Sequence, residues 1–260
     1  MKHKSQSPLK RIAIALAAMV FLAACSEPAQ TPQPQTLLPV PEASALASFN
    51  ESDCGSSPLP VQTQQAYQDA DGFWWVFGQV QNSTYQDVSL ARLCIKYEQN
   101  GVPQVREWLL DTSMQSGELV PFRAVLQDKS IPADAHIIVT AQVDERVSDL
   151  ATSYREFSSE ITPTPQNADK MQFSGTIRNI GQQAAGDIRI VVAIYDDANQ
   201  LIGVANGRIS SLGALNPGEE TIFTANASKL FGNMASYKVL VEGDLMDTDF
   251  DDAEDASNGK

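Results

Sequence analysis

Gly175-Thr176-Ile177-Arg178-Asn179 recurs 97 residues earlier as Gly78-Gln79-Val80-Gln81-Asn82. In both stretches a β-branched apolar residue stands between polar ones, with Gly and Asn at the ends. Extended back to Phe173, the later copy alternates strictly. Phe173, Gly175 and Ile177 fall on one side, and Ser174, Thr176 and Arg178 on the other. Successive side chains of a strand point to opposite faces, so this period of two predicts a half-buried β-strand.

The likeness continues outward. Val88-Ser-Leu90-Ala-Arg-Leu-Cys94-Ile-Lys-Tyr97-Glu98 aligns with Ile188-Arg-Ile190-Val-Val-Ala-Ile194-Tyr195-Asp196. Gly117-Glu118 with Phe122 aligns with Gly218-Glu219 with Phe223, and each copy closes on an apolar run, His136 to Val143 and Tyr237 to Val241. The offset stays between 97 and 101 at these landmarks, which predicts a tandem duplication over 52–148 and 152–246. Turn residues separate the apolar runs at Asn100-Gly101, Asn199-Gln200 and Asn216-Pro217-Gly218. Six or seven short strands per copy and no long helical pattern predict an all-β chain. The expected form is two tandem immunoglobulin-like antiparallel β-sandwich domains after a signal peptide and a disordered linker.

The N-terminus carries Lys2, Lys4, Lys10 and Arg11 and then an apolar run from Ile12 to Ala24. That run is too short to span a bilayer as a helix, which needs about 20 residues. Basic, apolar and small residues in that order predict a cleaved export signal over 1–24. Leu22-Ala23-Ala24-Cys25 resembles the lipobox of bacterial lipoproteins. The resemblance implies a diacylglycerol on the Cys25 thiol and an extracytoplasmic, membrane-anchored protein of the cell envelope. Several acyl chains hold a soluble domain at a membrane where a single chain binds only marginally. Pro28, Pro32, Pro34, Pro39 and Pro41 make 25–50 an extended tether.

Loss of the leader cations leaves 14 Lys and Arg against 32 Asp and Glu, a net charge of −18. That balance speaks against nucleic acid, whose phosphates need clustered cations. Cys54 and Cys94 remain as an even pair in an oxidising compartment, and a disulfide is the natural reading, with two free thiols the alternative. The segment from Asp244 to Asp255 holds seven acids in 12 residues. A calcium loop begun at Asp247 needs Gly at its sixth position and Glu at its twelfth, where Asp252 and Asn258 stand. The region 247–260 therefore reads as a solvated acidic tail, with no metal and no cofactor expected.

Gly175-x-Ile177-x-Asn179, Val192-Ala-Ile194-Tyr195-Asp196 and Leu215-Asn-Pro217-Gly218-Glu219 with Phe223 resemble the FxLYD domain of bacterial surface proteins and lipoproteins. Val192 replaces the Phe of that motif and Ile194 its Leu. The earlier copy departs further, with Cys94, Lys96 and Tyr97-Glu98 at these places. The resemblance implies a β-sandwich adaptor without catalytic residues. Consistent with that, one His survives leader removal, His136, and no Gly-x-Ser-x-Gly elbow, phosphate loop or dinucleotide fingerprint occurs. No enzymatic activity is expected.

One stretch stands out as a candidate binding feature. Phe73-Trp74-Trp75-Val76-Phe77 leads into Gly78. Phasing it on the second copy sends Trp74, Val76, Gly78 and Val80 inward and Phe73, Trp75 and Phe77 outward, at about 7 Å per ring. Such a row suits a sugar or a protein partner, unless the Cys54–Tyr67 segment or the second copy covers it. The expected function is thus a non-catalytic adaptor for another envelope protein. The alternative is a glycan- or cell-wall-binding lipoprotein using these rings, with Trp108 nearby.

Overall fold

A computed structural model describes residues 58–110, 112–144, 153–209 and 213–246. The leader, the tether with Cys25, Cys54 and the tail at 247–260 lie outside the described residues. Strands carry the described chain, and no helix occurs among these residues. The first seven strands are β1 (Pro58–Leu59), β2 (Val61–Gln68), β3 (Trp74–Gln81), β4 (Ala91–Gln99), β5 (Val102–Leu109), β6 (Leu119–Leu126) and β7 (Ile138–Val143). The next seven are β8 (Ser153–Tyr154), β9 (Phe157–Asn167), β10 (Lys170–Asn179), β11 (Ala185–Tyr195), β12 (Leu201–Ile209), β13 (Glu220–Ala227) and β14 (Ser236–Leu245).

The first set forms two antiparallel sheets, ordered β1-β7-β4-β5 and β2-β3-β6. The second forms one sheet, β8-β14-β11-β12-β13-β10-β9, in which β12 and β13 share the single pair Asn206↔Asn226. Parted there, it gives β8-β14-β11-β12 and β13-β10-β9, the strand orders of the first set. The all-β expectation holds, with antiparallel sheets consistent with a sandwich.

The alternation read from sequence sets the faces. Trp74, Val76 and Val80 enter one core with Leu93, Ile95, Tyr97 and Phe122, while Met171, Phe173 and Ile177 enter another with Ile190, Val192, Ile194 and Phe223. Gly78 lies opposite Phe122 and Gly175 opposite Phe223. A Cβ on Gly78 would stand 2.6 Å from the Phe122 ring, and one on Gly175 would stand 1.8 Å from the Glu160 carbonyl oxygen. Both positions need glycine because another group occupies the space of a side chain. The expected turns are also present. Asn100 and Gly101 have φ of 53° and 75°, the paired left-handed residues of a type I′ hairpin between β4 and β5. Gly218 has φ of 82°. Two strand limits differ from expectation: β7 starts at Ile138, after His136, and β14 extends to Leu245. Asp244, expected with the acidic tail, is a strand residue that meets Arg189 at 3.1 Å.

The two asparagines of the repeated stretch make the same bonds. Asn82 and Asn179 are fully buried. The Asn82 side-chain amide donates to the Gln86 and Met114 carbonyls at 2.8 and 3.0 Å, and that of Asn179 to Gln183 and Leu215 at 2.7 and 2.8 Å. The Asn82 backbone amide donates to the Glu118 carbonyl at 2.8 Å, and the Asn82 carbonyl accepts from the Gly117 amide at 2.8 Å; the Asn179 backbone does the same with Glu219 at 3.0 Å and Gly218 at 2.8 Å. Each Glu side chain closes the turn that leads into it by accepting a backbone amide, from Gln115 or Asn216, at 2.8 Å. Each Asn therefore fastens the end of one strand to two loops. Buried polar groups persist where every donor finds an acceptor, as here.

Prolines within strands occur on β1, β5, β6 and β9: Pro58, Pro103, Pro121, Pro163 and Pro165. In the order of strands, β1 and β5 end one sheet, β6 ends another and β9 ends the third. Proline has no N–H for a ladder, so an outer strand is where it fits, and there it denies an incoming strand a donor.

Candidate functional site

β3 is apolar on both faces from Trp74 to Phe77, and its outward face there meets the second half of the molecule. Phe77 is fully buried in a third cluster with Val191, Ala193 and Tyr195 of β11 and Leu201 and Val204 of β12. Tyr67, Trp75, Phe231 and Leu240 pack around it. Tyr67 stacks on Phe231 with centroids 4.5 Å apart and planes 8° apart, and Phe77 lies tilted to the two rings at 6.1 and 6.0 Å. The sequence phasing of this strand agrees with the structure: Trp74 and Val76 face one core, Trp75 and Phe77 the opposite side.

The three candidate rings meet different fates. Phe77 is sealed and cannot touch a ligand. Trp75 is partly buried, and its indole N–H donates to Asp69 at 2.8 Å. Phe73 precedes β3 and carries the Lys129 ammonium 4.7 Å from its ring centroid. They do not form an open three-ring platform, because β11 and β12 bury its Phe77 end. Sequence reasoning missed Tyr67 and Phe231. Neither lies in a landmark of the repeat, and Phe231 sits in the connection between β13 and β14.

Asp69 closes the turn between β2 and β3. Partial burial pushes its carboxyl up, but hydrogen bonds from Trp75 and from the Phe73 and Asp71 amides outweigh this and hold it below the usual carboxylate range. Burial, reinforced by Asp196, pushes the Tyr67 phenol up to about 12.

A second polar group of contacts spans the halves. Glu242 of β14 is buried and accepts the Ser113 amide at 3.2 Å and its hydroxyl. Arg155 bonds Glu118 at 3.0 Å and the Ser113 carbonyl at 2.8 Å, and stands 3.4 Å from Glu242. Arg189 reaches Glu242 at 3.1 Å and Asp187 at 2.6 Å. Burial pushes the Glu242 carboxyl up, against the pull of Arg155, Ser113 and Arg189. Gln65 donates to Gln200 at 2.8 Å elsewhere on the same junction. Apolar, aromatic and ionic contacts thus join two halves whose described residues belong to one compact unit.

Cys94 is fully buried in β4; Cys54, its expected partner, lies outside the described residues. Among the described residues no group of three or more His, Cys, Asp or Glu is placed to hold a metal ion. No helix among them is long and apolar enough to cross a membrane.

No family model and no curated protein matches the chain. Among solved structures it is similar to a red sea bream transglutaminase, at 10% identity and a TM-score of 0.23 over 73% of this chain and 29% of that one. It is also similar to a glycosyl hydrolase family 2 member from Bacteroides cellulosilyticus, at 13% identity and a TM-score of 0.23 over 68% of this chain and 25% of that one. The chain spans less than a third of either protein, and likenesses this weak carry no argument about activity.

Proposed function

We propose that this protein is a lipid-anchored, extracytoplasmic adaptor of a bacterial cell envelope that binds another envelope protein without catalysis. In this reading Cys25 carries the lipid, 25–50 is the tether, 52–148 and 152–246 are duplicated FxLYD-like sandwiches, a Cys54–Cys94 disulfide braces the first, and 247–260 is an acidic tail. The observation that carries the reading is the junction around Phe77. The aromatic residues of β3 are used to weld one half to the other. A rigid two-part body on a stalk offers fixed outer surfaces, the property a docking scaffold needs. The repeated bonding of Asn82 and Asn179 supports the duplication. Proline on the outer strands favours recognition through side chains over strand addition. Val102 on β5 and Ile222 on β13 are exposed apolar residues suited to such contact.

The test places a photo-cross-linking residue at Val102 or Ile222 in intact cells and follows palmitate labelling in parallel. The expected result is label on the wild-type chain, none on Cys25→Ser, and one recurrent envelope protein cross-linked only when the anchor is intact. Absence of label on the wild type, or of any cross-linked partner at both positions, overturns the proposal.

A further inference from the structure

A cleft of about 290 Å³ lies where β5 and β6 of the first half meet β11 and β12 of the second. Trp108, Pro121, Arg123, Asn206 and Arg208 are among the residues that line it. Arg123 is the informative one. It stands opposite Phe77 on β6 and therefore enters the junction on the same face. Its Nη1 donates to the Val204 carbonyl at 3.4 Å and the Ser228 hydroxyl at 3.1 Å. Burial depresses its basicity. No carboxylate pairs with it among the described residues.

Other arginines in comparable settings are matched. Arg92 meets Asp144 at 2.9 Å, Arg155 meets Glu118 at 3.0 Å, and Arg189 meets Asp187 and Glu242 at 2.6 and 3.1 Å. Arg208, on the cleft wall, is bonded to Asp187 at 2.6 Å. Arg123 is thus an unmatched, half-desolvated cation in a chain of net charge −14, although acidic residues outnumber basic ones. Keeping a charge partly out of water without a counter-ion is costly, and an anion supplied from outside removes that cost.

The surroundings narrow the anion. A guanidinium fork matches a carboxylate through two parallel bonds. Trp108 is 41% exposed and offers an aromatic face, and the exposed Asn206 offers an amide for hydroxyl groups. The volume is at the small end for ligand clefts and suits one ring rather than an acyl chain. We propose that this cleft binds a carboxylated sugar unit of the uronic acid type, with its carboxylate on Arg123, its ring against Trp108 and a hydroxyl on Asn206. The proposal is independent of the anchoring and adaptor reading.

The probe is sodium glucuronate, titrated into the full chain and followed by Trp108 fluorescence and by the Arg123 side-chain NMR signals. Glucose, acetate and sulfate serve as comparisons. Arg123→Lys keeps the charge but loses the fork, Arg123→Met keeps the apolar stem, and Trp108→Leu removes the platform. The expected result is saturable glucuronate binding, about tenfold weaker or more in each variant that remains folded by circular dichroism. Glucose should not saturate. Failure of glucuronate to bind the wild type overturns the proposal, as does unchanged binding in Arg123→Lys. Equal responses to acetate or sulfate would reduce the site to a general anion contact and overturn the sugar assignment.

Discussion

Truncating Phe77 to alanine tests whether the junction holds the two halves as one unit. The ring is fully buried among Val191, Ala193, Tyr195, Leu201 and Val204, and it touches Tyr67 and Phe231. Loss of a buried phenylalanine costs about 3–5 kcal/mol, from transfer of the ring and from the void it leaves. Tyr67 and Phe231 lie at the border of the cluster and are partly buried, so they can slide inward, which places the expected loss near the lower end, about 3 kcal/mol. For a chain of this size each kcal/mol lowers Tm by roughly 2–4 °C, giving a fall of roughly 6–12 °C. Thermal unfolding by near-ultraviolet circular dichroism measures the fall, and hydrogen exchange locates it. Ser174 occupies the equivalent place in β10, and Ser174→Ala is the control, expected to move Tm by no more than about 2 °C. The central expectation is that amides of β11 and β12 lose protection together with those of β3, although the substitution lies in β3. A loss below about 1 kcal/mol, or unchanged protection in β11 and β12, would refute the claim that this cluster couples the halves.

Three further outcomes follow from the geometry. Asn82→Ala and Asn179→Ala each remove two side-chain donations to loop carbonyls, among which those of Met114 and Leu215 keep the Val88 and Ala185 amides as donors, and are expected to cost about 1–3 kcal/mol by urea unfolding; a value below about 0.5 kcal/mol for both would remove the structural role assigned to the repeated Asn. The Asp69 carboxyl is held below its ordinary range, so its contribution is present above the ordinary carboxylate value and disappears as pH falls through the depressed one. The Trp75 indole N–H resonance should therefore shift along that acid limb, and Asp69→Asn should flatten it; an unmoved resonance would contradict the bond. The double substitution Pro163→Thr with Pro165→Thr restores two donors to β9 and is expected to increase concentration-dependent association, read by light scattering; a strictly monomeric variant would argue against the role given to those prolines.

The repeat was legible in two positions of each copy, Gly78 with Asn82 and Gly175 with Asn179. What those residues do was not: each Gly leaves room for a neighbouring group, and each Asn makes at least four bonds at a strand end, with partners that only the fold brings together. The phase of β3 followed from Phe173 and Ile177. The junction was less plain, yet a trace of it stands in β11. Ile188, Ile190, Val192 and Ile194 serve one core, and Val191, Ala193 and Tyr195 are apolar as well. A strand with no polar face needs a cover on each side. The same holds for Trp74 to Phe77, so two such stretches were available to cover one another. The partners of Glu242 and Arg155 left no comparable trace. Ion pairs distant in sequence have no period, and Ser113 and Glu242 are 129 positions apart. Arg123 resembled any outward strand residue until its surroundings were known.

The prolines on the outer strands have a consequence at the scale of a membrane. If the chain is anchored as proposed, many copies stand side by side on a plane, at a local density far above that of a dilute solution. β-Rich surfaces crowded in that way invite sideways zipping of one molecule to the next. Pro103, Pro163 and Pro165 interrupt the open borders where such zipping would begin. A dense lawn of these molecules would then stay a population of separate stalks, each free to meet its own target.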